Sequence, residues 1–216
     1  MCKKQTGFNV SFYNNSWPLL AIATSFFLVC GCATYKKNTV DDRYKVHVIT
    51  YPKNDSAKAT RNEYRNLQIE FGSRLSVSPD SIINVRLYAF VKKWLGTPYR
   101  WGGTSTNGID CSAFVQLLYR SVYDIDVPRT SIEQFYANWV DLYSNTKYLT
   151  EGDLVFFKTL GNYNAVSHVG FYLRNGYFVN ASSHKGGVSI DRLDDYYWSN
   201  KYVAAGRLKS GHYKNK

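Results

Sequence analysis

The chain has 216 residues, a length that accommodates one domain of ordinary size with a targeting segment and a linker, but not two full domains. A hydrophobic content of 44% and an aromatic content of 17% exclude an intrinsically disordered protein. The formal net charge of +11 favours an anionic partner, but the basic residues are scattered and form no compact block, so no nucleic-acid partner is expected.

The amino terminus carries the features of a secretory signal. Lys3 and Lys4 precede an apolar run over residues 17–29 (WPLLAIATSFFLV), which ends next to small and sulfur-containing residues. Spanning a bilayer takes roughly 20 apolar residues. The run is therefore typical of the core of a cleaved signal peptide and not of a permanent membrane helix.

The residues that close this run, 29–32 (VCGC), resemble a bacterial lipobox. The resemblance implies that residues 1–31 are a lipoprotein signal peptide and that Cys32 becomes the diacylated first residue of the mature protein. Ala33 lacks the acidic character that retains Gram-negative lipoproteins at the inner membrane. The resemblance thus implies a lipid anchor in the outer membrane, with the protein facing the periplasm.

Residues 32–77 are predicted to hold the lipidated cysteine, a tether and an N-terminal arm, and the sequence does not decide between two structures for this arm. Residues 33–45 are polar and have no apolar period, as expected of a solvated tether. Between residues 46 and 77, the apolar alternations VHVITY and LQIEF fit either short strands or a loosely packed arm. The folded domain is predicted over residues 78–210, with a basic tail over residues 211–216.

Two helices are predicted in the first half of the domain. Residues 78–80 (SPD) supply a cap, a proline at the first helical position and an acid in the first turn, and Gly96 would end this helix. A second helix is predicted to begin at or just after residues 110–112 (DCS) and to run through residues 114–122. The apolar face of the first helix is predicted to comprise Ile83, Leu87, Phe90, Val91 and Trp94.

Short strands are predicted beyond residue 151. The segments LVFF, HVGFYL, YFVNAS, GVSIDRL and YVAAGRL are separated by turn sequences such as residues 174–176 (RNG) and 185–187 (KGG), a spacing that predicts an antiparallel meander. Helices followed by strands, without βαβ alternation, predict an α+β fold.

Cys111 is the candidate nucleophile. The other three cysteines lie in the first 32 residues, so Cys111 has no disulfide partner within the domain and is either buried and inert or reactive. At a helix start, free N–H groups and the helix dipole favour the thiolate. A nearby imidazole can then take the proton and return it to a leaving amine, which is the chemistry of Cys/His acyl transfer.

His168, at the start of an apolar strand, is the candidate base, although a strand-end histidine without a role would fit the local sequence as well. If the hairpin loop comprises residues 174–176, Asn180 and His184 are the two diagonal neighbours of His168 on one face of the sheet. Because Asn180 and His184 both point to the same face of the sheet as His168, either residue can be the group that orients the imidazole.

The motifs YRWGGTSTNGIDCSAF, EGDLVFF, SHVGFYL and YFVNAS, in this order, resemble the NlpC family of cell-wall cysteine peptidases, within the papain-like superfamily. The resemblance spans roughly residues 79–209 and implies a papain-like fold in which the helix bearing the cysteine packs on an antiparallel sheet. It implies Cys111 as nucleophile, His168 as base and, twelve positions later, Asn180 as the orienting residue. The family more often has His at this last position, which leaves His184 as a substitute.

The resemblance also implies where substrate binds. Its Y-x-x-G-G tyrosine corresponds to Tyr99, for which a core aromatic is the alternative interpretation. Helix capping is the alternative for Asp110 and Ser112, which flank the nucleophile. The implied substrate-binding residues are Tyr99, Asp110, Ser112, Ser167 and His184.

The implied substrates are peptidoglycan stem peptides, cut at the γ-D-glutamyl to diamino-acid bond or at the D-alanyl cross-link. Backbone N–H groups at Cys111 and its neighbours are the expected oxyanion donors. No metal or cofactor is expected, because the thiolate supplies the nucleophile that a metal would otherwise generate.

Two other functions stay open. The asparagine at position 180, the basic charge and the 19 tyrosines also fit a non-catalytic wall-binding or scaffold lipoprotein on the same fold. The Cys/His machinery would also serve an amidase or a lipid acyltransferase. The order of the motifs, with Cys before His, disfavours the acyltransferase, whose family members usually show the permuted order.

Overall fold

The computed structural model describes residues 55–161 and 165–209, with side chains from residue 60 onward. The predicted signal peptide, Cys32, the tether and the basic tail over residues 211–216 lie outside these ranges. Within the described ranges, no helix combines the length and the apolar character that crossing a bilayer requires.

The carboxyl-terminal part of the arm is a helix, α1 (Asp55–Arg74), so the LQIEF segment does not form a strand. Leu67 and Phe71 are four residues apart, a spacing that places them on one side of the helix, and both are buried together with Leu75. The ring of Phe71 packs 4.9 Å from that of Tyr88 on the next helix. The segment therefore forms a helix that buries this apolar side, although its alternating apolar residues also fit a strand.

The next helix, α2 (Val85–Trp94), begins later than the predicted start at Pro79. Residues 79–81 form a single 3-10 turn, and the side chain of Asn84 caps α2 by accepting a hydrogen bond from the Leu87 amide at 3.1 Å. Ile83 precedes the helix and is exposed, so its predicted place on the apolar face is wrong. An asparagine cap closer to the apolar period outcompetes the Ser-Pro-Asp signal.

The predicted second helix is confirmed as α3 (Cys111–Leu118), which continues as a π-helical turn over Tyr119–Tyr123. It follows a small hairpin of β1 (Thr104–Ser105) and β2 (Gly108–Ile109). The Asp110 carboxylate caps α3 by accepting a hydrogen bond from the Ala113 amide at 2.8 Å. The cap fixes the start of the helix at Cys111.

Among the described residues, six further strands form one antiparallel sheet: β3 (Val140–Tyr143), β4 (Leu154–Phe157), β5 (His168–Tyr172), β6 (Tyr177–Ser182), β7 (Gly187–Arg192) and β8 (Tyr202–Leu208). Their order in the sheet is β3-β8-β4-β5-β6-β7. The meander is confirmed for β4 to β7, but β8 returns to pair with β4, and β3 was not predicted. Two short helices flank the strands, α4 (Ser131–Tyr136) and α5 (Tyr196–Ser199).

Apolar side chains cover both faces of the sheet. Successive residues of a strand point to opposite faces, and in β4 Leu154 and Phe156 belong to the core that includes the helices, whereas Phe157 belongs to a second cluster. Trp198 of α5 is the centre of this second cluster, 4.8 Å from the ring of Phe157 and 5.2 Å from that of Phe178. The α+β fold with a helix-covered antiparallel sheet is confirmed.

A buried ion pair ties the edge of the sheet together. Both carboxylate oxygens of Asp153, which precedes β4, accept hydrogen bonds from Arg207 of β8 at 2.7 Å. The Tyr143 hydroxyl of β3 and the Thr150 amide also donate to Asp153, at 2.7 and 2.6 Å. The carboxylate is fully buried and its charge is matched, the condition under which such a pair is tolerated in a core.

Candidate active site

Cys111 is the first residue of α3, and its side chain is nearly enclosed, with 7% of the residue exposed. The backbone N–H groups of Cys111, Ser112 and Val169 interact with the thiol. Val169 follows His168 directly in β5, so the sulfur lies beside the strand that carries the candidate base. The fold thus brings the carboxyl-terminal sheet to the start of the cysteine helix.

The β5–β6 hairpin has the predicted register, since Phe171 pairs with Val179 and Tyr172 with Phe178. Under this register the side chains of His168 and Asn180 meet, with Nε2 of the imidazole 2.9 Å from Oδ1 of the amide. His168 is 5% exposed and Asn180 is fully buried. Of the two candidates on this face of the sheet, Asn180 and His184, it is Asn180 that contacts the imidazole.

His184 does not take this place. Its ring stacks on that of Tyr197 at a centroid distance of 3.7 Å, and the residue is exposed. The β6–β7 turn carries the chain away after Ser182, whose hydroxyl accepts a hydrogen bond from the His184 amide at 3.1 Å. His184 therefore contributes neither to the orientation of His168 nor to the wall of the cleft described below.

The hydrogen-bond chain continues beyond Asn180 to a residue that the sequence interpretation missed. The amide nitrogen of Asn180 donates to Oδ2 of Asp191 at 2.8 Å, and the Ser189 hydroxyl donates to the same oxygen at 2.7 Å. Asn180 pairs with Ser189 across β6 and β7, so Asp191 is its diagonal neighbour. Residues two apart on a strand share a face of the sheet, so applying this rule from β6 across the next turn to β7 would have identified Asp191.

The opposite side of the imidazole is closed by aromatic rings. Trp198 stacks on His168 with ring centroids 5.1 Å apart and an interplanar angle of 26°, and Phe157 lies at 5.9 Å. No local pattern predicts this contact, because Trp198 reaches the site from a short helix far along the chain. The two rings exclude water from the imidazole.

Burial raises the pKa of the Cys111 thiol to about 11, against the backbone N–H groups that act in the opposite direction, and the negative charge of Asp110 adds to the rise. The backbone N–H groups at the helix start favour the thiolate, as expected, but they do not determine the sign of the net shift in pKa. Desolvation of the charged form outweighs the helix terminus.

Burial also lowers the pKa of His168 to about 4, although the hydrogen bond with Asn180 and the charge of Asp191 act in the opposite direction. At neutral pH the imidazole is therefore uncharged and able to accept a proton. The resting pair is a neutral thiol and a neutral imidazole.

A cleft of about 340 Å³ opens at Cys111. Trp101 stands at its rim and is 74% exposed. Burial raises the pKa of Tyr99 to about 12, and the negative charge of Asp110 acts in the same direction. Tyr99 and Cys111 line the same cleft. The lining residues are Tyr99, Trp101, Gly102, Asp110, Cys111, Ser112, Arg129, Thr130, Ser131 and Ser167.

Arg129 is a second residue that the sequence interpretation missed. Its guanidinium donates to both carboxylate oxygens of Asp110, at 3.0 and 2.6 Å, and to the Ser112 hydroxyl at 3.0 Å. Asp110 also accepts from the Gly102 amide at 3.1 Å in addition to capping α3. Both oxygens of the Asp110 carboxylate thus accept hydrogen bonds, and the cationic Arg129 beside it lines the cleft.

Ser167 lines the cleft, but its hydroxyl is engaged with the protein. It accepts hydrogen bonds from the backbone amides of Thr159 and Leu160 at 2.8 and 3.2 Å. The serine therefore fastens the loop between β4 and β5 next to the base. Of the predicted substrate-binding residues, the structure gathers Tyr99, Asp110, Ser112 and Ser167 around Cys111.

Comparison with known proteins identifies the family that this chain resembles. Residues 96–207 match the family model described as the NlpC/P60 family. The chain is 31% identical over 195 residues to the murein DD-endopeptidase MepS/murein LD-carboxypeptidase of Escherichia coli, covering 89% of this chain and 91% of that protein. It is 39% identical over 122 residues to a probable endopeptidase NlpC homolog of Haemophilus influenzae, covering 56% of this chain and 61% of that protein.

A solved structure shares the fold. An NlpC/P60 family protein from Bacillus cereus aligns with a TM-score of 0.50 and 32% identity, over 57% of this chain and 39% of that one. The aligned part of this chain is an α+β domain, consistent with the papain-like fold that the resemblance implies.

Proposed function

The chain belongs to the NlpC/P60 family, and from this we propose that it is a cell-wall hydrolase, a cysteine endopeptidase that cleaves peptidoglycan stem peptides or cross-links. The observation that carries the proposal is the enclosed Cys111 thiol at the start of α3, next to a strand whose His168 is held by Asn180 at 2.9 Å. The names of the relatives, which are murein endopeptidases and probable NlpC endopeptidases, support the substrate class.

The resting charges define the first step. Since thiol and imidazole are both neutral, the proton leaves Sγ of Cys111 for His168 as the sulfur attacks the scissile carbonyl. Nε2 of His168 is occupied by Asn180, so Nδ1 is the accepting nitrogen. Backbone N–H groups at the start of α3 stabilise the oxyanion.

Acyl transfer then follows in two stages. The amine leaves with the proton that His168 carried, and a thioester to Cys111 remains. Water attacks the thioester with His168 as base, and the carboxylate product and the free thiol are released. Asn180 keeps the imidazole in one orientation throughout, which is the role we assign to it.

The cleft residues are assigned roles in substrate binding. Tyr99 lies beside the nucleophile and has a hydroxyl that can contact the acyl group. Asp110 and Ser112 are held by Arg129, so the three act as one unit in which the guanidinium offers positive charge to a substrate carboxylate. Stem peptides carry such carboxylates.

We assign the same chain a lipid anchor at Cys32, on the strength of the lipobox resemblance. Metabolic labelling with a radioactive fatty acid tests it, since Cys32→Ala should abolish labelling and release the protein from the membrane fraction. Cys30→Ala should change neither. Retention of the label in Cys32→Ala would contradict the assignment, as would its absence from the parent protein.

The decisive experiment is digestion of purified sacculi with the protein that begins after Cys32, followed by mass analysis of the released muropeptides. The wild type should generate new amino groups at one kind of peptide bond, and Cys111→Ala should generate none. Tyr148→Ala, at an exposed site outside the cleft lining, is the control and should retain full activity. Undiminished cleavage by Cys111→Ala would contradict the proposal.

The buried neutral thiol gives the non-catalytic alternative its support. A non-catalytic wall-binding protein would sediment together with the sacculi and would release no new amino groups from them. The same digestion therefore separates the two functions.

A further inference from the structure

We infer that Asp191 is a positioning residue for the proposed reaction: its carboxylate sets the orientation of the Asn180 amide and thereby determines which nitrogen of His168 carries the proton. The inference rests on the proposed function for its catalytic consequence. Its structural part is independent of any activity.

The argument begins with the two ends of a buried amide. Asn180 is fully buried, and its side chain meets His168 at one end and Asp191 at the other. A carboxylate accepts hydrogen bonds and cannot donate, so the end that faces Asp191 at 2.8 Å must be the NH₂ group. The carbonyl oxygen then necessarily faces the imidazole.

The orientation of the amide dictates the tautomer. A carbonyl oxygen only accepts, so Nε2 of His168, 2.9 Å away, must carry the hydrogen in the neutral ring. Nδ1 is left with the free lone pair, and it is the nitrogen to which the Cys111 proton can go. A flipped amide would place NH₂ against Nε2, force the hydrogen onto Nδ1 and disable the base.

The neighbours of Asp191 hold its carboxylate in place against the Asn180 amide. Its side chain is 8% exposed, and the Ser189 hydroxyl donates to the same oxygen as Asn180 at 2.7 Å. The ammonium of Lys185 lies 3.9 Å from the other oxygen, so a cation stands at the outer side of the carboxylate. A charged acceptor makes the hydrogen bond to Asn180 stronger than a neutral one would.

The test is Asp191→Asn, which has nearly the same shape but can donate as well as accept. Nitrogen NMR of the wild-type histidines should show Nε2 of His168 protonated and Nδ1 bare, and in the variant the Nδ1–H tautomer should appear. Asp194→Asn is the matched control: Asp194 lies close along the chain, and it is exposed and paired with Arg192. This control should leave the spectrum unchanged.

Kinetics on a soluble stem peptide complete the test. Asp191→Asn should lower kcat by about 10- to 100-fold, as loss of a supporting hydrogen-bond partner does, with KM changed by less than about twofold. Because Asp191 acts through Asn180, the same substitution should have no further effect on kcat in an Asn180→Ala background, unlike a general loss of stability.

The possible outcomes are distinguishable. An unprotonated Nε2 in the wild type would overturn the inference, and so would an unchanged tautomer in Asp191→Asn. The first outcome is measured on the wild-type protein, so it does not depend on whether the variant folds. A wild type that leaves peptidoglycan intact would overturn the proposed function, while the tautomer measurement would still decide the role of Asp191.

Discussion

Acidification should weaken the fold through His168. Burial lowers the pKa of this imidazole from 6.5 to about 4. Between these two values the unfolded chain binds a proton that the native protein does not bind, so the free energy of unfolding falls as the pH falls. One pKa unit corresponds to about 1.4 kcal/mol, and a group titrating in this way costs about 3 kcal/mol of stability at pH 4 relative to pH 7.

Urea denaturation followed by tryptophan fluorescence at a series of pH values measures this loss. Other titrating groups contribute as well, so the informative quantity is the difference between the wild type and His168→Phe, in which nothing titrates at this position. The phenylalanine fits the aromatic surroundings of Trp198 and Phe157. His168→Phe should lose about 3 kcal/mol less than the wild type between pH 7 and pH 4. Parallel curves for the two proteins would refute the reasoning.

Three further predictions concern particular contacts. Asp153→Ala should lower the free energy of unfolding by about 3 kcal/mol in urea titrations, the low end for a broken buried pair, because it leaves the partly buried Arg207 guanidinium without its carboxylate. Thr130→Ala should cost about 1 kcal/mol in the same assay, because it removes the capping box that Thr130 and Glu133 form at the start of α4. Asn180→Ala should lower kcat on stem peptides by about 10- to 100-fold. Asn180→His should retain more activity than Asn180→Ala, since an imidazole can still accept from one side and donate to the other.

The elements nearest the chemistry could be predicted because short-range signals determine them. The asparagine and glycine of the β5–β6 turn fixed its length, with positive φ angles of 52° and 81° at Asn175 and Gly176. That length set the register that unites His168 and Asn180. The start of α3 could likewise be predicted from Asp110, because an aspartate carboxylate is a favourable cap for the first turn of a helix.

Other features depend on contacts between distant parts of the chain, which local patterns do not encode. The start of α2 was misplaced because two capping signals lie close together and only packing decides between them. Arg129 comes from a loop without periodicity, yet its guanidinium binds Asp110 from nineteen residues away. The sequence indicates the helix terminus that favours the Cys111 thiolate, but it does not reveal how deeply the thiol is buried, and burial outweighs the helix terminus.

The packing of α1 has a consequence for preparing the protein. The family match begins at residue 96, and a fragment cut to that boundary, or to residue 78, would omit Leu67, Phe71 and Leu75. In the fragment that begins at residue 78, the ring of Tyr88, which Phe71 covers, would face water, and this apolar surface would favour self-association. The fragment that begins at residue 96 would lose Tyr88 together with the rest of α2. A soluble version for crystallisation or kinetics should therefore retain the whole of α1 and begin upstream of Asp55.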